Sequence, residues 1–142
     1  PETISAALTA AETGHLVLSS LHTNNASQTI DRIIDVFPPN QQNQVRLQLS
    51  NTLSAIVSQR LLQRVSGGRV PAAEIMFSNN AISNLIRESK AHQIDLVIET
   101  SLENGMISLN RSLSELVRRG EVAPEVAVSY SFNPVELQQR IQ

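Results

Sequence analysis

The residues of this chain whose types and spacing invite chemistry are His15 and the run His22-Thr23-Asn24. A neutral imidazole donates from one ring nitrogen and accepts at the other, so beside a phosphate it can bond an oxygen or orient a water. Thr23 and Asn24 can reach the same group, or they can serve the start of a helix, since Asn24 and Asn25 both have cap chemistry. Joint metal binding is the competing use of the two histidines. If the apolar run between them is a strand, seven steps of ~3.3 Å separate them by roughly 23 Å. The odd spacing also points them to opposite faces, which excludes a shared metal. Residue types alone leave His22 open between a phosphate-sensing group and an ordinary loop histidine.

Other polar residues are more ambiguous. Glu74, alone in Ala72-Ala73-Glu74-Ile75-Met76, either faces solvent on an edge strand or is buried with a basic partner, because an unpaired buried carboxylate is costly. Arg60, Arg64 and Arg69 gather around a candidate hairpin, as solvated arginines or as donors to a neighbour's phosphate. Asn84, Arg87 and Glu88 lie off the Ile82/Leu85/Ile86 stripe, either as a plain polar face or as a contact surface for another subunit or partner. No acid–His–Ser order supports a hydrolase triad.

Composition removes several function classes. The 142 residues carry 11 Lys+Arg against 13 Asp+Glu, a net charge of −2, so the basic footprint of a nucleic-acid binder is missing. Aromatics are 3%, too few for stacking platforms, and without cysteine there is neither a disulfide nor a thiolate zinc site. The single lysine, Lys90, and five dispersed glycines cannot form G-x-x-x-x-G-K-[ST] or G-x-G-x-x-G, so no phosphate loop lies within this sequence. No signal peptide or membrane-length apolar run is visible, which makes the cytoplasm the expected location.

The elements that must position these groups follow from periodicity. Pro1-Glu2-Thr3 has the chemistry of a first helical turn whose cap would lie upstream, so the start reads as cut. Ile4 and Leu8 supply the stripe of that helix, and Gly14 is placed to stop it. His15–Leu21 is a short continuous apolar run that predicts a strand covered on both faces in a parallel sheet. In such sheets ligands gather beyond the carboxyl ends of strands, which favours His22 over His15. Ala26, Ile30, Ile33, Ile34 and Phe37 predict an amphipathic helix ended by Pro38-Pro39. A second helix is predicted from about 40 to 60 on Val45, Leu49, Leu53 and Ile56. Leu61–Val65 and Val70–Phe77, joined through Ser66-Gly67-Gly68-Arg69, predict an antiparallel hairpin. From Asn79 onward the stripes are helical: Ile82/Leu85/Ile86; Ile94/Val97/Ile98 ending near Gly105; Met106 to Val117 with Gly120 at C′; and a last helix opened by Asn133-Pro134-Val135-Glu136. The class is α/β, a parallel sheet remnant plus a β-hairpin over residues 1–78, followed by a small helical bundle over 79–142.

Glu12-Thr13-Gly14-His15-Leu16-Val17-Leu18-Ser19-Ser20-Leu21-His22-Thr23-Asn24 resembles the "His box" of the secretion and type IV pilus ATPases, which are hexameric RecA-like P-loop motors. Pro1-Glu2-Thr3-Ile4 is similar to the segment after that family's Walker B motif. Asp31–Pro38 and Ser58-Gln59-Arg60-Leu61-Leu62 match in order and spacing, so the likeness covers essentially the whole chain. Where pilus-assembly and type II secretion members usually carry a four-cysteine zinc insertion, this chain has Gln63-Arg64-Val65-Ser66-Gly67-Gly68-Arg69. Ala81–Glu88 resembles the AIRNLIRE helix of retraction-type members, with Ser83 in place of the motif's arginine and Ser89 in place of the glycine that often follows.

The resemblance implies the C-terminal half of a RecA-like core, with Walker A, Walker B and the catalytic glutamate upstream of Pro1. It implies a cytoplasmic homo-hexamer at the inner-membrane base of a pilus machine, meeting a platform protein of that membrane and touching the membrane only through partners. It implies ATP and Mg2+ for the full-length protein and an inactive chain when these 142 residues stand alone. Carried over by position, His15 and His22 fill the His box, and His22, Thr23 and Asn24 face the nucleotide. A non-catalytic interaction module, or an assembly-type ATPase of the same family, is the alternative. A half-sheet leaves open edges and uncovered apolar faces. Residues 1–142 made by themselves are therefore expected to self-associate, and sedimentation that finds a clean monomer would count against the half-sheet.

Overall fold

The frame of the molecule is a hairpin: β1 (Ala55–Gln63) and β2 (Arg69–Phe77) pair antiparallel in a register running from Ala55 opposite Phe77 to Gln63 opposite Arg69. The computed structural model describes residues 2–142. Three helices precede the hairpin, α1 (Glu2–Glu12), α2 (Ala26–Asp35) and α3 (Pro39–Thr52). Five follow: α4 (Asn80–Arg87), α5 (Ile94–Glu99), α6 (Leu109–Arg118), α7 (Pro124–Tyr130) and α8 (Pro134–Ile141). Single 3₁₀ turns at Ala91–Gln93 and Leu102–Asn104 link α4 through α6.

Period-two alternation gives the hairpin one buried face, and two cores pack against the two ends of that face. Met76, at the end of the buried face of β2, joins Leu8, Ile30, Ile34, Val45, Leu49, Ile82, Ile86, Ile94 and Ile98, with Ile56 of β1 packed against them. Leu62, Val70 and Ala72, at the other end of the same face, join Leu109, Leu113, Leu116, Ala127 and Leu137. Each fully buried Ile or Leu contributes about 1.5–3 kcal/mol, so both clusters are substantial on aliphatic side chains, with Phe37 the aromatic buried in the first. The outer edge of β2 is shielded, because Ile107 exchanges two backbone hydrogen bonds with Ile75, at 2.8 and 3.0 Å. Among the described residues nothing pairs with the outer edge of β1.

Several expectations need correction. His15–Leu21 forms no strand: it takes part in no ladder, and Leu16 and Leu18 are 85% and 86% exposed. A strand is held by hydrogen bonds to a neighbour, and no other described segment forms a ladder with this one. The helix predicted over 40–60 ends at Thr52, where Leu53 turns to extended backbone (φ −65°, ψ 128°). Ile56 therefore lies in β1, which starts six residues before the expected Leu61. Pairing with β2 and β-branched Ile56-Val57 override a helical stripe that happened to continue. Met106 is buried ahead of α6, α5 stops at Glu99, and α7 was not expected, although Ala123-Pro124-Glu125 carries its N-terminal signal. The reading of Pro1 as a first helical residue lies outside the described residues. The remaining helices agree with the sequence, including Asn133, whose side chain accepts from the Glu136 N–H.

Helix endings show one chemical anomaly. α1, α4 and α6 all close with paired i−5 and i−3 backbone bonds around a left-handed residue: His15 to Ala10 and Gly14 to Ala11, Lys90 to Leu85 and Ser89 to Ile86, Glu121 to Leu116 and Gly120 to Val117. Gly14 and Gly120 adopt φ of 96° and 74° without a side-chain penalty, but Ser89 holds φ 60°. Ser89→Gly is expected to stabilise the folded chain by about 0.5–1 kcal/mol, read as a higher urea midpoint at unchanged slope; an unchanged or lower midpoint would show that α4 ends without strain.

Candidate functional site

Asn25 caps α2 from extended backbone (φ −153°, ψ 174°), and its Oδ1 accepts from the Gln28 N–H at 2.8 Å and the Ser27 hydroxyl at 3.0 Å. The Asn-x-x-Gln spacing is that of a capping box. Here the Gln28 Oε1 reaches one residue further back and accepts the Asn24 N–H at 2.7 Å. The Thr29 hydroxyl donates to the Asn25 carbonyl at 2.8 Å, which commits its only proton. In its 2.6 Å contact with Thr23, Thr29 is therefore the acceptor and Thr23 the donor. The turn that follows His22 is thus tied down residue by residue.

Glu74 supplies the last tie. Its side of β2 is buried between the two cores, and its Oε1 accepts the Ala26 N–H at 2.8 Å, from 48 positions along the chain. Ala26 is the first residue of α2, so the carboxylate meets the positive end of the helix. Of the alternatives open in sequence, burial is right, but the partner is a backbone N–H rather than a basic side chain. Burial pushes the Glu74 carboxyl above its usual range, the Ala26 N–H opposes this, and Asp95 and Glu99 add to the rise.

His22 is exposed and makes no hydrogen bond among the described residues. His15 belongs to a different local structure: its Nδ1 lies 3.2 Å from both the Ala10 carbonyl and the Thr13 hydroxyl, at the end of α1. Asn24 is exposed, while Thr23 is partly covered by its bond to Thr29. The loop thus brings His22, Thr23 and Asn24 together, and it leaves His15 with the helix that precedes them.

Comparisons with known proteins bear on the chain as a whole. Residues 1–67 match the family described as type II/IV secretion system protein. A twitching motility protein of Neisseria gonorrhoeae is 52% identical over 128 residues, covering 89% of this chain and 34% of that protein. The type IV pilus retraction ATPase PilT of Pseudomonas aeruginosa is 49% identical over 126 residues, covering 89% of this chain and 37% of its own. Over nearly all of its length the chain is similar to type II/IV secretion ATPases of the PilT-like type. A crystal structure of the pilus retraction motor PilT with bound ADP superposes with a TM-score of 0.84 at 48% identity, over 97% of this chain and 38% of that one. The chain therefore spans little more than a third of these relatives. Its helices and antiparallel hairpin are those of the C-terminal part of a RecA-like ATPase, PilT-like in type.

Within the family frame the other sequence candidates lie apart from the His22 loop. Asn84, Arg87 and Glu88 are exposed on α4, where Arg87 Nη2 donates to Asn84 Oδ1 and Glu88 lies 3.5 Å from Lys90 Nζ. Ser83, where the motif has arginine, is turned inward and its hydroxyl donates to the Ser50 carbonyl of α3 at 2.9 Å. Arg60 stacks over Tyr130 and Phe132, 5.2 and 5.9 Å from the ring centres, and Arg64 faces Glu121 at 3.7 Å. Sequence reasoning missed Thr29 and the direction of Glu74; the Asn25-x-x-Gln28 spacing was the one local signal for this network.

The raised Glu74 carboxyl sets the sign of a pH effect. A group that binds its proton more tightly when folded contributes stability below its unfolded pKa, and that contribution is lost as pH rises through the folded value. The urea midpoint of the wild type relative to Glu74→Gln is expected to fall as pH is raised from about 4.3, the ordinary glutamate value, toward neutrality. A pH-independent gap between the two would contradict the burial argument.

Proposed function

We propose that this protein is part of a homo-hexameric ATPase motor that powers type IV pilus retraction, and that His22 reads the terminal phosphate of ATP. The observation that carries the reading is near-complete coverage of this chain at about half identity by retraction-type relatives, with an exposed His22 at the head of an ordered turn. An exposed imidazole can donate to a phosphate oxygen or orient the attacking water. Phosphate oxygens only accept. The Thr23 hydroxyl spends its one hydrogen bond as a donor on Thr29, so Thr23 serves through its backbone N–H and through the order it imposes, and the Asn24 carboxamide offers side-chain donors. His15 completes the His box from the end of α1.

In this reading residues 1–78 belong to the motor core and residues 79–142 to the helical region, whose Asn84, Arg87 and Glu88 face a neighbouring subunit or partner. Loss of the terminal phosphate releases a contact made by the loop that opens α2, and the switch passes to the subunit interface. Mg2+ accompanies the nucleotide as a hard cation held largely by phosphate oxygens and water, and none of the residues named above is assigned to it. The motor works in the cytoplasm against the inner-membrane platform protein of the pilus; among the described residues no helix is long and apolar enough to cross a membrane. The 142-residue chain by itself is inactive, because its sequence holds no phosphate loop.

In the full-length protein, His22→Ala is expected to lower kcat for ATP hydrolysis by about 100-fold or more and to abolish pilus retraction. Because His22 makes no hydrogen bond among the described residues, the melting temperature of the variant should not move. Wild-type turnover in the variant would end the assignment.

A further inference from the structure

The buried face of β2 reads Val70, Ala72, Glu74, Met76: apolar, apolar, carboxylate, apolar. Val70 and Ala72 belong to one core and Met76 to the other, so Glu74 stands at the seam between them, 7% exposed. An apolar residue would fill that seam at no desolvation cost. Nor is α2 in need of a cap, since Asn25 already serves it. What the carboxylate adds is position. Its bond to Ala26 joins the hairpin to the first residue of α2, and residues 22–25 hang from that point through the Thr23–Thr29, Asn24–Gln28 and Asn25–Gln28 bonds. Glu74 also fills the place an anion would take at this helix end, so a phosphate approaching the loop must be met by His22 and its neighbours instead.

We propose that Glu74 is a positioning residue for ATP hydrolysis, one that sets the placement of the His22 loop by its reach to the Ala26 N–H. This inference rests on the motor reading and deepens it. Reach and charge separate cleanly in two variants. Glu74→Gln keeps an oxygen at the same distance from Cα without charge, and Glu74→Asp keeps the charge but is one methylene too short to hold a 2.8 Å bond without movement of the backbone.

In the full-length protein, Glu74→Gln is expected to retain kcat within threefold of wild type. Glu74→Asp should lower kcat at least tenfold with KM for ATP within threefold, at a melting temperature close to that of the Gln variant. Amide exchange over residues 22–30 should accelerate at least tenfold in the Asp variant alone. An Asp variant with wild-type kcat overturns the proposal, as does a Gln variant impaired as severely as Asp, which would make charge the operative property. Accelerated exchange in Asp with unchanged kcat also overturns it, leaving a purely structural tie. A wild type that hydrolyses no ATP sinks the motor reading and this role together. The exchange measurement, which needs no nucleotide, still reports in that case whether the tie itself exists.

Discussion

Everything in this fold hangs on a single antiparallel hairpin whose one buried face serves two masses of side chains. A strand presents alternate residues to a face, so four inward positions of β2, from Val70 to Met76, span both clusters. Helices α1 to α5 gather at the Met76 end and α6 to α8 at the Val70 end. Neither group needs to touch the other extensively to be held in a fixed relation, because a paired strand of nine residues is stiffer than a loop. The 2.8 Å bond of Ile75 to Ile107 on the far edge closes the frame and carries the chain from one group to the other.

That frame explains why a polar group is tolerated where apolar packing would otherwise continue. Glu74 falls at the one inward position of β2 that belongs to neither cluster, and there it meets the first N–H of α2. The electrostatics are favourable on both sides: the carboxylate gains a donor and a positive dipole, and the helix gains a partner for an N–H that has no intrahelical acceptor. The cost of burial shows in the raised carboxyl. The same helix end orders the turn after His22, so the frame and the candidate chemistry share one connection.

The retraction-type likeness also gives physical sense to the two departures on α4. Ser83 has become part of the packing between α3 and α4, its hydroxyl spent on a carbonyl, and so the exposed face of α4 is left to Asn84, Arg87 and Glu88. Ser89 keeps the backbone geometry of the glycine it replaces, since the paired bonds to Leu85 and Ile86 require a left-handed residue whichever side chain is present.

Local chemistry was enough to read most helices: the stops at Gly14 and Gly120, the caps at Asn25 and Asn133, and the stripes between them depend on residues within four or five positions of one another. The hairpin turn was legible for the same reason. The His22-Thr23-Asn24 cluster was legible as a set of residue types, together with the absence of any phosphate loop. Only the tertiary structure decided that β1 begins at Ala55, that His15–Leu21 pairs with nothing described, and that Glu74 meets Ala26 rather than a basic side chain. Each of these turns on contacts between segments far apart in the chain, where hydrogen-bond partners and burial outweigh the preferences of neighbouring residues.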